Sequence, residues 1–116
     1  MCGIGYIHTN NLQGVDIGSA ISHMANTLHY RGPDATQTYI DNSYGLAFNR
    51  LAIVGGEDGM QPIFNSDKSI ALICNGEIFN NLQLRSDEAE TINFATSSDV
   101  EIILHLYSRY GVNFLN

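Results

Sequence analysis

Two segments of the chain are separated by only three turn-forming residues, and this spacing limits the fold more than any other feature. The segments are Thr36–Ile40 and Tyr44–Arg50, and Asp41–Ser43 lies between them. Aspartate, asparagine and serine favour tight turns because their side chains hydrogen-bond to the nearby backbone. The spacing therefore predicts an antiparallel hairpin, and the apolar stretch Leu51–Val54 follows its second strand.

Further strands and a helix are predicted on either side of this hairpin. Gly3–His8 is typical of a short strand, and Ile63–Phe64 and Ser69–Cys74 flank a second turn at Asn65–Lys68. Apolar residues at helical spacing predict an amphipathic helix over Ile17–Leu28. Central hairpins with helices near each end favour an α+β fold with antiparallel sheet over a parallel, doubly wound one.

The last predicted helix has a start and a stop signal. Ser98 and Glu101 have the spacing of a capping box, with Ser98 as the N-cap. Gly111 is a natural end for the helix. Its apolar face would consist of Val100, Ile103, Leu104 and Tyr107.

Composition indicates one globular domain and disfavours several classes of partner. The 116 residues are 44% hydrophobic and 15% charged, which is ordinary for a folded domain. The formal net charge is −7, and the five Lys and Arg residues form no cluster. Nucleic acid and anionic membrane are therefore not expected partners.

The cysteines and histidines do not have the spacing of a metal site. Cys2 and Cys74 are far apart, and the four histidines add no ligand pattern. The first eight residues lack the basic and apolar regions of a signal peptide, and no segment has the length of a transmembrane helix. We expect a cytoplasmic protein with reduced thiols.

Cys2 follows Met1 directly, so removal of Met1 would place a thiol and a free α-amine on one residue. A free thiol has a pKa of about 8.5 and an α-amine one of about 7.7–8, so the amine can accept the proton of the thiol. N-terminal nucleophile hydrolases use this arrangement. Taken alone, Cys2 is as compatible with a buried residue of the first strand as with a nucleophile. Less often, a cysteine at this position is modified by a lipid.

Five stretches together resemble the glutaminase domain of class II glutamine amidotransferases, most closely the asparagine synthetase branch. In chain order they are Met1-Cys2-Gly3-Ile4, Arg31-Gly32-Pro33-Asp34, Arg50-Leu51-Ala52-Ile53-Val54, Asn75-Gly76-Glu77-Ile78-Phe79-Asn80 and Ser97-Ser98-Asp99-Val100-Glu101. The resemblance covers residues 1–116 and implies the four-layer αββα sandwich of N-terminal nucleophile hydrolases. The chain looks shorter than that domain, so we expect it to be truncated at its C-terminal end.

The resemblance implies that Cys2 attacks the side-chain amide of glutamine and that its own α-amine acts as the base through a water. The side-chain amide of Asn75 and the backbone N–H of Gly76 would stabilise the oxyanion. Read alone, Asn75-Gly76 would more often be a plain turn than part of an oxyanion hole. The turn Arg31–Asp34 is expected to be structural and to lie near the nucleophile.

By the same resemblance, Arg50 would bind the α-carboxylate of glutamine through its planar fork. The alternative for Arg50 is a partly buried structural ion pair. Glu77 and Asp99 would bind the α-ammonium group, although Asp99 could instead stabilise the first turn of a helix. The remaining pocket residues implied by the family are Leu51, Ala52, Ile53 and Val54.

The implied partners are L-glutamine and a synthetase domain in cis or in trans, and a homodimer is left open. No cofactor is expected in this domain, since ATP and Mg would belong to the absent synthetase domain. Two positions depart from the family pattern: Tyr30 replaces a histidine and Phe79 a tyrosine. A non-catalytic scaffold or binding module is the alternative function, and the retention of Cys2 argues against it.

Overall fold

The computed structural model describes residues 1–9, 14–52 and 59–115, and this part of the chain is α+β. The strands are β1 (Gly3–His8), β2 (Ala35–Ile40), β3 (Tyr44–Arg50), β4 (Ile63–Phe64) and β5 (Ala71–Leu72). The α-helices are α1 (Ile17–Leu28), α2 (Asn81–Glu88) and α3 (Glu101–Tyr110), and short 3₁₀ helices span His29–Arg31 and Gly111–Leu115. The α+β prediction is confirmed.

A three-stranded antiparallel sheet, in the order β1-β3-β2, carries the N-terminal half of the structure. The β2–β3 pairing confirms the predicted hairpin, and Asp41 N–H closes its turn by donating to the carbonyl of Tyr44 at 2.8 Å. On the other side, β1 pairs with β3 from Gly3 opposite Asn49 to His8 opposite Tyr44. The central strand β3 is therefore bonded on both edges.

Helix α1 covers one face of this sheet. Ile21, Ala25 and Ala47 form a buried cluster between the helix and β3, with Ile7 and Met24 packed against it. The helix begins where Asp16 accepts hydrogen bonds from Gly18 N–H at 3.0 Å and from the Ser19 hydroxyl at 2.8 Å. The predicted helix over Ile17–Leu28 is confirmed.

A second, smaller layer is built from the antiparallel pair β4–β5 and helix α3. Its buried cluster is Ile63, Val100 and Leu104, and Cys74 is among the half-buried residues that pack against it. The predicted second hairpin is confirmed, but β5 is limited to two residues rather than the six of Ser69–Cys74.

The start of α3 differs from the sequence prediction. The helix begins at Glu101, and its N-cap residue, Val100, makes no side-chain cap hydrogen bond. The backbone N–H of Ser98 donates to the Thr96 hydroxyl at 3.2 Å, and the Glu101 carboxylate accepts from Ala95 and Thr96. The capping-box prediction is therefore wrong, because Glu101 finds its partners in the preceding loop.

The end of α3 follows the prediction. Gly111 is the C-cap residue, with φ of 57°, and its N–H donates to the carbonyl of Tyr107. A positive φ of this size strains residues that carry a Cβ, which explains why glycine occupies the position.

The turn Arg31–Asp34 packs tightly against the end of β3. A Cβ at Gly32 would lie 2.2 Å from the carbonyl oxygen of Asn49 and 2.6 Å from the carbonyl carbon of Arg50. Asp34 N–H donates to the Arg50 carbonyl at 3.0 Å, and the Asp34 carboxylate accepts from Ala52 N–H at 2.7 Å. The turn thus fixes the backbone on both sides of Leu51.

We predict that Gly32→Ala lowers the free energy of unfolding by about 1–3 kcal/mol or more, because the added methyl must displace backbone atoms. The matched control is Gly5→Ala, where the nearest atom to the new Cβ is the Ala47 Cβ at 3.4 Å. Urea unfolding followed by circular dichroism measures both variants. Equal stability of the two variants would contradict the predicted close approach.

Candidate active site

Cys2 lies immediately before β1 and is half-buried. Its Sγ accepts a hydrogen bond from Leu51 N–H at 3.4 Å and lies 3.8 Å from the Leu51 carbonyl oxygen. The Cys2 carbonyl accepts from Arg31 Nε at 3.5 Å, so the turn that follows α1 also holds the start of the chain. The thiol is thereby fixed beside the residue that follows Arg50.

Arg50 is the last residue of β3 and is only 9% exposed. Its guanidinium lies close to Gly59, since a Cβ at Gly59 would be 2.7 Å from Nη2 and 3.0 Å from Cζ. Sequence reasoning missed Gly59, although it lies in a glycine-rich loop, which is the signal that could have found it. The planar cation of Arg50 therefore belongs to the residue directly before Leu51, which contacts Cys2.

Leu51 contacts Cys2 through its N–H, and the N–H of Ala52 donates to the Asp34 carboxylate. Ile53 and Val54 were predicted to line the same pocket, and both lie outside the described residues.

Asn75, Gly76 and Glu77 follow β5 and are exposed. The backbone of Cys74, directly before Asn75, is held by Gln61, which is 5% exposed. The Gln61 side chain donates from Nε2 to the Cys74 carbonyl at 3.1 Å and accepts from the Cys74 N–H at 2.5 Å. Sequence reasoning missed this pair of hydrogen bonds, because nothing in the spacing of Gln61 and Cys74 indicates a contact.

Cys74 directly precedes Asn75 and is half-buried against the cluster of Ile63, Val100 and Leu104. Burial raises the pKa of Cys74, and the negative charges of Asp99 and of an ionised Cys2 raise it further. A raised pKa keeps Cys74 in its thiol form at neutral pH, which suits the predicted core role rather than a second nucleophile.

Asp99 is half-buried and lies in the loop that precedes α3. Its Oδ2 accepts a hydrogen bond from Ile78 N–H at 2.7 Å. Because α3 begins two residues later, at Glu101, Asp99 does not occupy the first turn, and the alternative role in stabilising that turn is wrong. The bond to Ile78 instead fixes the carboxylate next to Glu77.

The candidate site residues fall into two groups, one on each sheet. The three-stranded sheet positions Cys2, Arg50 and Leu51, while the two-stranded sheet and the loop before α3 position Asn75–Glu77 and Asp99. Tyr30 and Phe79, the two departures from the family pattern, are 78% and 90% exposed.

Within residues 1–9, 14–52 and 59–115, no group of three His, Cys, Asp or Glu side chains could hold a metal ion. The same ranges contain no helix with the length and apolar character needed to cross a membrane.

The sequence matches one protein family along its whole length. The profile of the glutamine amidotransferase domain family matches residues 1–116. Asparagine synthetase [glutamine-hydrolyzing] 2 of Bacillus subtilis is 43% identical over 80% of this chain and 12% of its own length. The probable asparagine synthetase [glutamine-hydrolyzing] of Dictyostelium discoideum is 41% identical over the whole chain and 21% of its own length.

Asparagine synthetase B [glutamine-hydrolyzing] of Escherichia coli is 34% identical, again over the whole chain and 21% of its own length. The chain therefore spans between about an eighth and a fifth of these curated relatives. A profile match over every residue and relatives above 30% identity confirm the resemblance drawn from the motifs. The chain belongs to the glutamine amidotransferase domain family.

Proposed function

We propose that this chain hydrolyses the side-chain amide of L-glutamine, producing L-glutamate and ammonia. The observation that carries the proposal is the placement of the Cys2 thiol, 3.4 Å from the N–H of Leu51, the residue that directly follows the buried Arg50. A nucleophile held at the end of the strand that carries a buried cation suits a substrate that has a carboxylate at one end and a reactive amide at the other. The relatives named as glutamine-hydrolyzing support this choice of substrate.

In the proposed reaction, the sulfur of Cys2 attacks the amide carbon, and the thiol proton passes to the α-amine of Cys2 through a water. The side-chain amide of Asn75 and the N–H of Gly76 stabilise the resulting oxyanion. The tetrahedral intermediate collapses to a thioester, and the leaving nitrogen takes the proton and departs as ammonia. Water then attacks the thioester and releases glutamate and the free thiol. Removal of Met1 is required, because a retained Met1 would acylate the amine.

Two opposite charges would orient the substrate. Arg50 binds the α-carboxylate of glutamine through a two-point contact, as its planar fork allows. Asp99 and Glu77 bind the α-ammonium, with Asp99 already fixed by the bond from Ile78 N–H. Leu51 and Ala52 line the pocket beside Arg50, and the family resemblance assigns Ile53 and Val54 to the same pocket. This arrangement would favour free glutamine over an amide within a peptide, which lacks both end charges.

At the level of the whole protein, we propose that the ammonia serves an ATP-dependent synthetase domain in cis or in trans. That domain, which would hold ATP and Mg, selects the ammonia acceptor. The proposed complete domain is the four-layer αββα sandwich, of which this chain supplies the N-terminal portion. The names of the relatives and the fraction of their length that matches support this division. Cytoplasmic location and homodimer formation remain predictions.

We predict that Cys2→Ala abolishes glutamate release while the fold is kept. The substitution removes the nucleophile, and the half-buried position tolerates a small side chain. The assay is glutamate and ammonia release by the native protein with Met1 removed, and circular dichroism checks the fold. The control is Cys74→Ala, which removes the other thiol and should retain most of the activity. Substantial hydrolysis by Cys2→Ala would exclude the thioester mechanism.

Substitutions of Arg50 and Asn75 should change different kinetic constants of glutamine hydrolysis. Arg50→Lys keeps the charge but loses the two-point contact, so the KM for glutamine should rise far more than kcat falls. Asn75→Ala removes an oxyanion donor, so kcat should fall about 10²-fold with KM nearly unchanged. Steady-state kinetics of both variants measure the split. The same pattern of loss in the two variants would show that the assigned roles are wrong.

A further inference from the structure

The carboxylate of Glu101 is 2% exposed and is surrounded by hydrogen-bond donors. Its Oε1 accepts from Ala95 N–H at 2.7 Å, and its Oε2 accepts from Thr96 N–H at 2.8 Å and from the Thr96 hydroxyl at 2.6 Å. Arg85 Nη2 and His105 Nε2 lie 3.5 and 3.4 Å from the same group. Such a set of donors is unusual for a carboxylate that only begins a helix.

These bonds hold the loop that carries Asp99. The Thr96 hydroxyl, bonded to Glu101, accepts in turn from Ser98 N–H at 3.2 Å, and Ser98 directly precedes Asp99. Arg85 reinforces the loop from α2, since its Nη2 donates to the Ser98 carbonyl at 2.6 Å. The loop is therefore fixed to α3 through Glu101 and to α2 through Arg85.

The Glu101 contacts require an ionised carboxylate. Burial alone raises the pKa of Glu101, but the bonds from the Thr96 hydroxyl and from the backbone N–H groups of Ala95 and Thr96 outweigh it, so the pKa lies below its usual value. At neutral pH both oxygens accept. In a Glu101→Gln variant, an NH₂ group would replace one of the two carboxylate oxygens. This group is a donor, so it cannot accept the hydrogen bonds that reach that oxygen.

We propose that Glu101 is a positioning residue for the α-ammonium subsite: it fixes the loop 95–98 and thereby holds the Asp99 carboxylate where the glutamine ammonium binds. The proposal rests on the proposed function. Glu101 does not touch the substrate, and its effect on binding passes through Asp99. Its loss should therefore weaken recognition of the ammonium group and leave the chemistry at Cys2 largely intact.

The test compares glutamine with glutaramate, the same amide and carboxylate without the α-ammonium, in the native protein and its Glu101→Gln variant. Because hydrogen bonds to charged groups contribute about 1.5–3 kcal/mol, the KM for glutamine should rise about 10- to 100-fold in Glu101→Gln, with kcat changed less than about 3-fold. The KM for glutaramate should change less than about 2-fold, since that substrate makes no contact with Asp99. A purely structural role would affect both substrates equally.

Asp99→Asn and the double variant complete the cycle. If Glu101 acts through Asp99, the KM of the double variant for glutamine should be no higher than the higher of the two single-variant KM values. The two residues then act as one unit. Glu88→Gln is the matched control: it removes another carboxylate that binds an arginine, Arg109, on α3, and should leave both KM values unchanged. Thr96→Val, which removes one bond to Glu101 and keeps its charge, should give a smaller rise of the same kind.

The outcomes separate this proposal from the proposed function. If the native protein neither binds nor hydrolyses glutamine, the proposed function falls and the role of Glu101 falls with it. If it hydrolyses glutamine and Glu101→Gln is unchanged, or loses kcat for both substrates equally, only the role of Glu101 is overturned. Should Glu101→Gln fail to fold, the selective effect of Thr96→Val on glutamine decides the matter.

Discussion

The site depends on the antiparallel pairing of β1 with β3. The register, with Gly3 opposite Asn49, brings Cys2 to the backbone of Leu51. A slip of one residue in this pairing would turn the side chains of β1 to the other face of the sheet, and the Cys2 thiol would lose its contact with Leu51. The proposed chemistry therefore requires this one register.

Several tight contacts hold the rest of the site around that pairing, and each allows little variation. Gly32 has no room for a Cβ against β3, and Gly59 leaves the space in which the guanidinium of Arg50 lies. Gln61 fixes the backbone of Cys74 with two bonds, and this backbone leads directly to Asn75. Small residues and buried amides thus position the charged and reactive groups, which themselves need to face the substrate.

Sequence predicted the elements whose signals are local. The β2–β3 hairpin was predicted from its turn chemistry, and α1 from the period of its apolar residues. Helix α2 was not predicted, because Asn81–Glu88 buries none of its residues and so shows no apolar period. The capping box was wrong because Glu101 binds a loop that only the tertiary structure brings to it. Gln61 was missed for the same reason.

The central claim is that Cys2, and not Cys74, attacks glutamine while the substrate is held by its end charges. The most direct test is mass mapping of the protein, with Met1 removed, after treatment with 6-diazo-5-oxo-norleucine in the presence and absence of glutamine. The account predicts one adduct on Cys2, slower labelling when glutamine is present, and an unmodified Cys74. An adduct on Cys74, no adduct, or labelling that glutamine does not slow would contradict it.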